Sequence, residues 1–256
     1  MNIIKYYHHR GKISELIQKF HAFGKLDNAR IKGTTNNRWK VEKTGEISHD
    51  FMISFFGKTG YGKSSTVNAF FGQSIMKTSD IEACTRACNC LDYEISPGNY
   101  LSLSDFPGIG ESEYRDMEYL GIYRNFMNSV GTIVYVMRAD TRDYSIDEKA
   151  YNTLFINHES RKKVIIAINQ CDKIEPISRK TQKEPSSEQL NNIQEKIKFL
   201  EKKFQPTNKI IPYSAETGWN MSALADEIVN VAIKSGELKI SIAGLSKRPD
   251  FVTGFF

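Results

Sequence analysis

The chain has 256 residues, a formal net charge of +5, 40% hydrophobic residues and 25% charged residues. Those proportions suit a folded chain with one sizeable core and exclude wholesale disorder. No apolar run approaches the roughly 20 residues that span a bilayer, and MNIIKYYHHRGK lacks the apolar core of a secretory signal, so a cytoplasmic location is expected.

Residues 1–12 are polar and basic and read as a frayed or loosely docked end. Residues 13–23 place Ile13, Leu16, Ile17 and Phe20 on one helical face. Residues 24–49 show no period and read as a linker with an isolated Trp39. The expected division is an N-terminal helix and polar linker over 1–49, a core domain over 50–235, and a C-terminal extension over 236–256. Within the core, Phe51, Met52, Ile53, Phe55 and Phe56 form a nearly continuous apolar strand, of the kind buried on both faces in a parallel sheet. A glycine-punctuated turn and a helix to Phe71 follow. Strands are expected at 87–95 and 99–105, joined by the turn Ser96-Pro97-Gly98-Asn99. Next come a helix over 116–129, a strand over 131–137, a helix over 143–155 and a strand over 163–169. After an exposed loop, an amphipathic helix over 187–204 turns Leu190, Ile193, Ile197 and Leu200 inward. A short strand at 209–213 and a helix over 221–234 complete the alternation. The pattern predicts an α/β three-layer α/β/α fold, its sheet mostly parallel with one antiparallel edge strand, and ligands at the strand C-termini.

Chemistry concentrates at those strand ends. Gly57-Lys58-Thr59-Gly60-Tyr61-Gly62-Lys63-Ser64 matches the phosphate-binding pattern GxxxxGK[ST] between a strand and a helix. Its glycines let successive N–H groups face one concavity, the helix N-terminus adds partial positive charge, Lys63 adds a full one, and the Ser64 hydroxyl can ligate Mg²⁺. Asp105-Phe106-Pro107-Gly108 ends another strand, where a carboxylate can hold Mg²⁺ and Gly108 can offer an N–H to the γ-phosphate. Asn169-Gln170-Cys171-Asp172 ends a third. The Asp172 carboxylate suits guanine's adjacent ring N–H and exocyclic amine, a donor pair that adenine lacks. Ser214-Ala215 follows a fourth strand, where a backbone N–H can meet the guanine carbonyl. The cysteines Cys84, Cys88, Cys90 and Cys171 form no CxxC pair and read as ordinary reduced thiols.

In this order and context the motifs resemble a P-loop GTPase of the translation-factor (TRAFAC) class, with a Ras-like G domain of the Era-like and septin-like kind. The likeness covers about residues 50–235 and is nearest to the YfjP-type bacterial GTPases, carried by LSLSDFPGIGESEYRDMEYLGIYRNF and VYVMRADTRDYSIDE. The resemblance implies that Gly57, Lys58, Thr59, Gly60, Tyr61, Gly62, Lys63 and Ser64 wrap the phosphates, and that Ser65 contacts the α-phosphate. Thr85 takes the place of the first-switch threonine, with Thr78 as a competitor. Ser64, Thr85 and Asp105 would serve Mg²⁺. Lys63, Thr85 and Gly108 would serve the γ-phosphate, while Asn169, Asp172, Ser214 and Ala215 hold the base.

Three departures qualify this reading. Gln170 replaces a lysine whose stem covers the base, which should weaken nucleotide affinity by about 1 kcal/mol, the scale of one ordinary hydrogen bond. Gly60 stands where many Era-like enzymes carry a potassium-recruiting asparagine. Ile109 follows Gly108 where a water-orienting Gln stands in Ras-type enzymes. The expected function is therefore a Mg²⁺-dependent GTP-hydrolysing switch with slow intrinsic turnover, stimulated by a homodimer across the nucleotide or by a protein effector. The alternative is a nucleotide-dependent dimerising or filament scaffold with negligible hydrolysis. A lower-ranked reading is an Era-like role on structured RNA. Changing Asp172 to Asn is expected to move preference from GDP toward xanthosine diphosphate in competition binding; an unchanged preference would remove the case for guanine.

Overall fold

Apolar side chains on alternating positions of the central strands define two faces, and each face is covered by its own set of helices. The computed structural model describes residues 3–5, 49–71, 74, 89–96, 99–127, 130–177 and 183–235. Its strands are β1 (Ile3–Lys5), β2 (His49–Gly57), β3 (Asn89–Ser96), β4 (Asn99–Asp105), β5 (Thr132–Arg138), β6 (Val164–Asn169) and β7 (Ile211–Pro212). Its helices are α1 (Lys63–Phe71), α2 (Glu113–Phe126), α3 (Ser145–Leu154), α4 (His158–Lys162), α5 (Ser187–Phe204) and α6 (Met221–Lys234), with a 3-10 turn at Cys171–Lys173.

The strands form one seven-stranded sheet in the order β1-β3-β4-β2-β5-β6-β7. Five of them, β4, β2, β5, β6 and β7, run parallel, so their C-terminal ends gather along one edge, the usual place for a ligand in such sheets. β3 runs antiparallel to β4. It is not the edge strand that the sequence suggests. Ile3–Lys5 pairs with it in parallel, Ile3 opposite Cys90, where a frayed end is expected from composition.

On one face Ile53, Phe55, Val134, Val136, Ile165 and Ala167 pack with α1 and α6. On the other, Met52, Phe56, Ile133, Tyr135, Ile166 and Ile168 pack with α2, α3 and α5. Adjacent residues of β2 thus point to opposite layers, which explains an unbroken apolar strand. The hydroxyls of Ser54 and Ser104 sit within this interior and bond each other at 2.6 Å, so neither is buried without a partner.

Several boundaries differ for local reasons. α2 begins at Glu113, earlier than its apolar pattern implies, because Ser112 caps it by accepting from the Arg115 N–H. α4 is unanticipated and is set by a reciprocal cap between Asn157 and Ser160. In α5, Ile193 and Leu200 are buried as expected, but Leu190 is 40% exposed. Gln189 turns inward instead, and its Nε2 donates to the Ile174 carbonyl at 2.9 Å. Residues 13–23, Trp39, Thr78, Cys84, Thr85, Cys88 and the 236–256 extension lie outside the described residues.

Phe56 stacks on Tyr123 with ring centroids 4.0 Å apart and meets Phe106 edge-on at 4.7 Å. The cluster joins β2 to α2 beneath the loop that starts at Asp105. Truncating Phe56 to Ala is expected to cost about 3–5 kcal/mol, read as a lower urea midpoint at unchanged slope.

Candidate functional site

The turn between β2 and α1 depends on glycines held in left-handed backbone. Gly62 has a φ of +87°, and a Cβ there would lie 2.3 Å from the Asn169 amide nitrogen. An L side chain would be strained by the backbone and blocked by that amide. Lys63 opens α1 and turns back under the loop, its Nζ donating to the carbonyls of Gly57 and Lys58 at 3.1 Å each. Burial pushes its pKa down, opposed by the nearby charges of Asp105, Asp147 and Glu111. The ammonium is thereby fixed beneath the loop concavity by neutral acceptors.

The second loop is interlocked with the first. Thr59 N–H donates to the Ile109 carbonyl at 2.8 Å, and Ile109 N–H donates to the Gly57 carbonyl at 3.3 Å. Gly108 lies so close that a Cβ on it would fall 2.6 Å from both N and Cα of Thr59. Only glycine fits this contact. β4 runs beside β2 with Asp105 opposite Phe55, which carries the Asp105 carboxylate to the start of α1. There Ser64 Oγ donates to Asp105 Oδ2 at 2.6 Å. A hydroxyl and a carboxylate so placed are hard oxygen donors of the kind Mg²⁺ takes alongside phosphate and water. No group of three or more His, Cys, Asp or Glu residues suited to a metal occurs among the described residues, and a Mg²⁺ site completed by nucleotide phosphates does not need one.

The far end of the site is built from β6 and the loop after β7. Asn169, 2% exposed, donates from Nδ2 to the Tyr61 carbonyl at 3.0 Å and accepts at Oδ1 from the Ala215 N–H at 3.0 Å. Asp172 Oδ1 accepts from Ser214 Oγ at 2.6 Å, and that hydroxyl accepts in turn from the Thr217 N–H at 3.1 Å. The phosphate loop, the 169–172 segment and the 214–215 segment are thus tied side by side. The structure brings residues 57–64, Asp105, Gly108, Asn169, Asp172, Ser214 and Ala215 to this edge of the sheet; Ser65 follows in α1, and Thr85 lies outside the described residues.

Sequence reasoning missed two links. Gln170 adopts left-handed backbone, φ +62°, and its Nε2 donates to the Gly60 carbonyl at 3.4 Å. Its Oε1 accepts from Lys173 Nζ at 3.1 Å. An amide with an ammonium behind it therefore occupies the bridge to the phosphate loop. The lysine at position 173 is the signal that could have suggested this. The second link is Asp147, in the first turn of α3, whose Oδ2 accepts from the Tyr61 hydroxyl at 3.1 Å. Burial pushes the Asp147 carboxyl up to about 6, only partly offset by Tyr61, Lys58 and Lys63. An acid raised in the folded state stabilises the fold below its unfolded value of 3.8 and loses that contribution as pH rises through 6. In sequence, Asp147 is indistinguishable from an ordinary acid at a helix start.

A glycine loop at a strand-to-helix turn, a lysine held under it and three further loops at the same sheet edge define a P-loop nucleotide-binding protein with a Ras-like G domain. Comparison with known proteins agrees. Residues 52–170 match the family described as 50S ribosome-binding GTPase. The Escherichia coli K12 protein YfjP is 31% identical over 223 residues, covering 82% of this chain and 76% of YfjP. YkfA from the same organism is 36% identical over 183 residues, covering 71% of this chain; the chain spans 62% of YkfA's length. Among solved structures, Era in complex with MgGDPNP and part of 16S ribosomal RNA superposes with a TM-score of 0.57 at 23% identity, covering 81% of this chain and 61% of Era. The chain belongs to the YfjP-type family of bacterial P-loop GTPases.

Replacing Lys173 with Ala is expected to weaken GDP binding about fivefold, the equivalent of roughly one hydrogen bond, in a fluorescent-nucleotide titration.

Proposed function

We propose that the protein is a Mg²⁺-dependent guanine-nucleotide switch that hydrolyses GTP to GDP and phosphate. The observation that carries this reading is the convergence of Lys63, the Ser64–Asp105 pair and the Asn169–Asp172–Ser214 set along one sheet edge. They match the three parts of a Mg-GTP molecule: phosphates, metal and base. The amides of Gly57 to Ser64 receive the phosphates, with Ser65 next in line for the α-phosphate. Lys63 sits against the β- and γ-phosphates, and the Gly108 N–H points to the γ-phosphate. Ser64 and Asp105 would hold Mg²⁺, which would supply positive charge to the transferring phosphoryl group; Thr85, outside the described residues, would be the first-switch ligand that the resemblance implies. Asp172 reads guanine, Ser214 fixes that carboxylate, and Asn169 and Ala215 support the base edge.

Hydrolysis here rests on positioning and charge rather than covalent chemistry. Intrinsic turnover is slow, and a second copy across the nucleotide or a protein effector accelerates it. The reading places the protein in the cytoplasm; no described helix is long and apolar enough to cross a membrane.

One observation favours a second reading, a nucleotide-dependent scaffold that assembles with negligible hydrolysis. Ile109, beside the γ-phosphate position, is 1% exposed, and its apolar side chain has nothing to offer a water molecule. An RNA-associated role, such as the complex in which Era was solved, ranks below both because only the shared fold supports it.

Phosphate release measured at several protein concentrations, with light scattering in parallel, separates the first two. The expected result is a rate per protomer that rises with concentration and vanishes in Lys63→Ala together with tight GTP binding. Assembly without phosphate release would establish the scaffold instead. Unchanged GTP binding by Lys63→Ala would overturn the phosphate-loop assignment itself.

A further inference from the structure

We propose that the carboxylate of Glu111 orients the water that attacks the γ-phosphate, and that Arg115 and Tyr119 hold it in place. The inference rests on the GTP-hydrolysing reading above. It addresses the gap left by Ile109, whose side chain is buried among apolar neighbours and whose backbone N–H and carbonyl are both spent on the phosphate loop.

Two residues further on, the chain is turned and pinned. Gly110 has a φ of +87°, and Asp116 Oδ1 accepts from the backbone N–H groups of Gly110 at 2.7 Å and Glu111 at 3.3 Å. This anchors the backbone from which the Glu111 side chain reaches back to the phosphate loop. Its two oxygens have different surroundings. Oε2 accepts from Arg115 Nη1 at 2.8 Å and from the Tyr119 hydroxyl at 3.4 Å. Oε1 faces Thr59 and accepts from its hydroxyl at a long 3.3 Å. Thr59 is also the residue against which Gly108 packs. Glu111, Thr59 and Gly108 therefore converge on the place assigned to the γ-phosphate, and the charge of Glu111 acts on Lys63 as well.

The asymmetry has a chemical use. Arg115 offsets the negative charge of a carboxylate that must lie near phosphate, and with Tyr119 it fixes one oxygen. That leaves the other oxygen, weakly engaged, to take a hydrogen bond from water. The ion pair itself does little for the fold, because Arg115 is 40% exposed and pairs of that kind are screened. In the reaction, the water oxygen forms a bond to the γ-phosphorus. The bond from that phosphorus to the β–γ bridging oxygen breaks, and GDP leaves with the electron pair. The water proton passes to Glu111 Oε1 and from there to solvent.

The test is single-turnover hydrolysis at saturating GTP by the full chain, with GDP affinity and thermal unfolding measured on the same samples. Glu111→Ala is expected to slow hydrolysis about 100-fold, the lower range for a positioned acid or base, with GDP affinity within about threefold of the parent. Glu111→Gln should remain slow while GDP affinity and thermal unfolding stay close to the parent, a split that a merely structural role would not produce. Tyr119→Phe and Arg115→Ala should slow turnover less than Glu111→Ala. Hydrolysis by Glu111→Ala within threefold of the parent, or a loss matched by equal loss of GDP affinity, would overturn the assignment while leaving the GTPase reading intact. A parent protein that binds GTP tightly without turnover overturns both.

Discussion

The side-chain amide of Asn169 is the constraint on which the site depends. It reaches from the end of β6 to the carbonyl of Tyr61 on one side and the N–H of Ala215 on the other. Two loops distant in sequence are spaced by one planar group with a fixed donor and a fixed acceptor. Buried polar groups of this kind must be satisfied or they cost stability, so the amide also enforces their relative position. Gly62 packs directly on its nitrogen, and the tight turn of the phosphate loop and the amide bridge therefore require one another. Lys63, Ser64 and Asp172 acquire their geometry from this junction.

The contact between Tyr61 and Asp147 couples the same loop to a helix on the far side. Asp147 lies in α3, which packs under the opposite face of the sheet, yet its carboxylate meets the hydroxyl of a phosphate-loop residue. Burying a carboxylate is costly, and the neighbouring charges of Lys58 and Lys63 offset only part of that. Lys58 Nζ also sits 5.9 Å above the Tyr61 ring. The phosphate loop is thus a surface feature rooted in a buried polar cluster. Its conformation is set from below as well as by its own glycines.

Much of this was legible in the sequence, and the limits have physical causes. The strand-turn-helix around Gly57 to Ser64 carries its own local signals, and the class of fold follows from apolar runs and their order. The inward face of α5 was misjudged at Leu190 because helical period alone does not say which of two adjacent residues faces the core. Pairing of Ile3–Lys5 with β3 is non-local, and three residues hold no periodicity. Gln170 reads as a loss when compared with a lysine, since only the fold brings Lys173 behind it. Asp147 and Glu111 look like ordinary surface acids until the chain folds over them.

One consequence follows from the aromatic cluster under α2. Tyr123 is fully buried, stacks on Phe56 and donates from its hydroxyl to the Pro107 carbonyl at 2.6 Å. At the other end of the helix, Tyr114 and Met117 are 77% and 67% exposed. The helix is tied at both ends: Tyr123 holds it to the core, and Asp116 accepts from the Gly110 and Glu111 N–H groups of the loop before it. Between Tyr123 and Tyr114 the helix runs roughly 13 Å at the usual helical rise. Any displacement of the backbone at Gly110 and Glu111 would therefore pull on Asp116, and the exposed Tyr114 and Met117 lie on the same turns of the helix as that anchor.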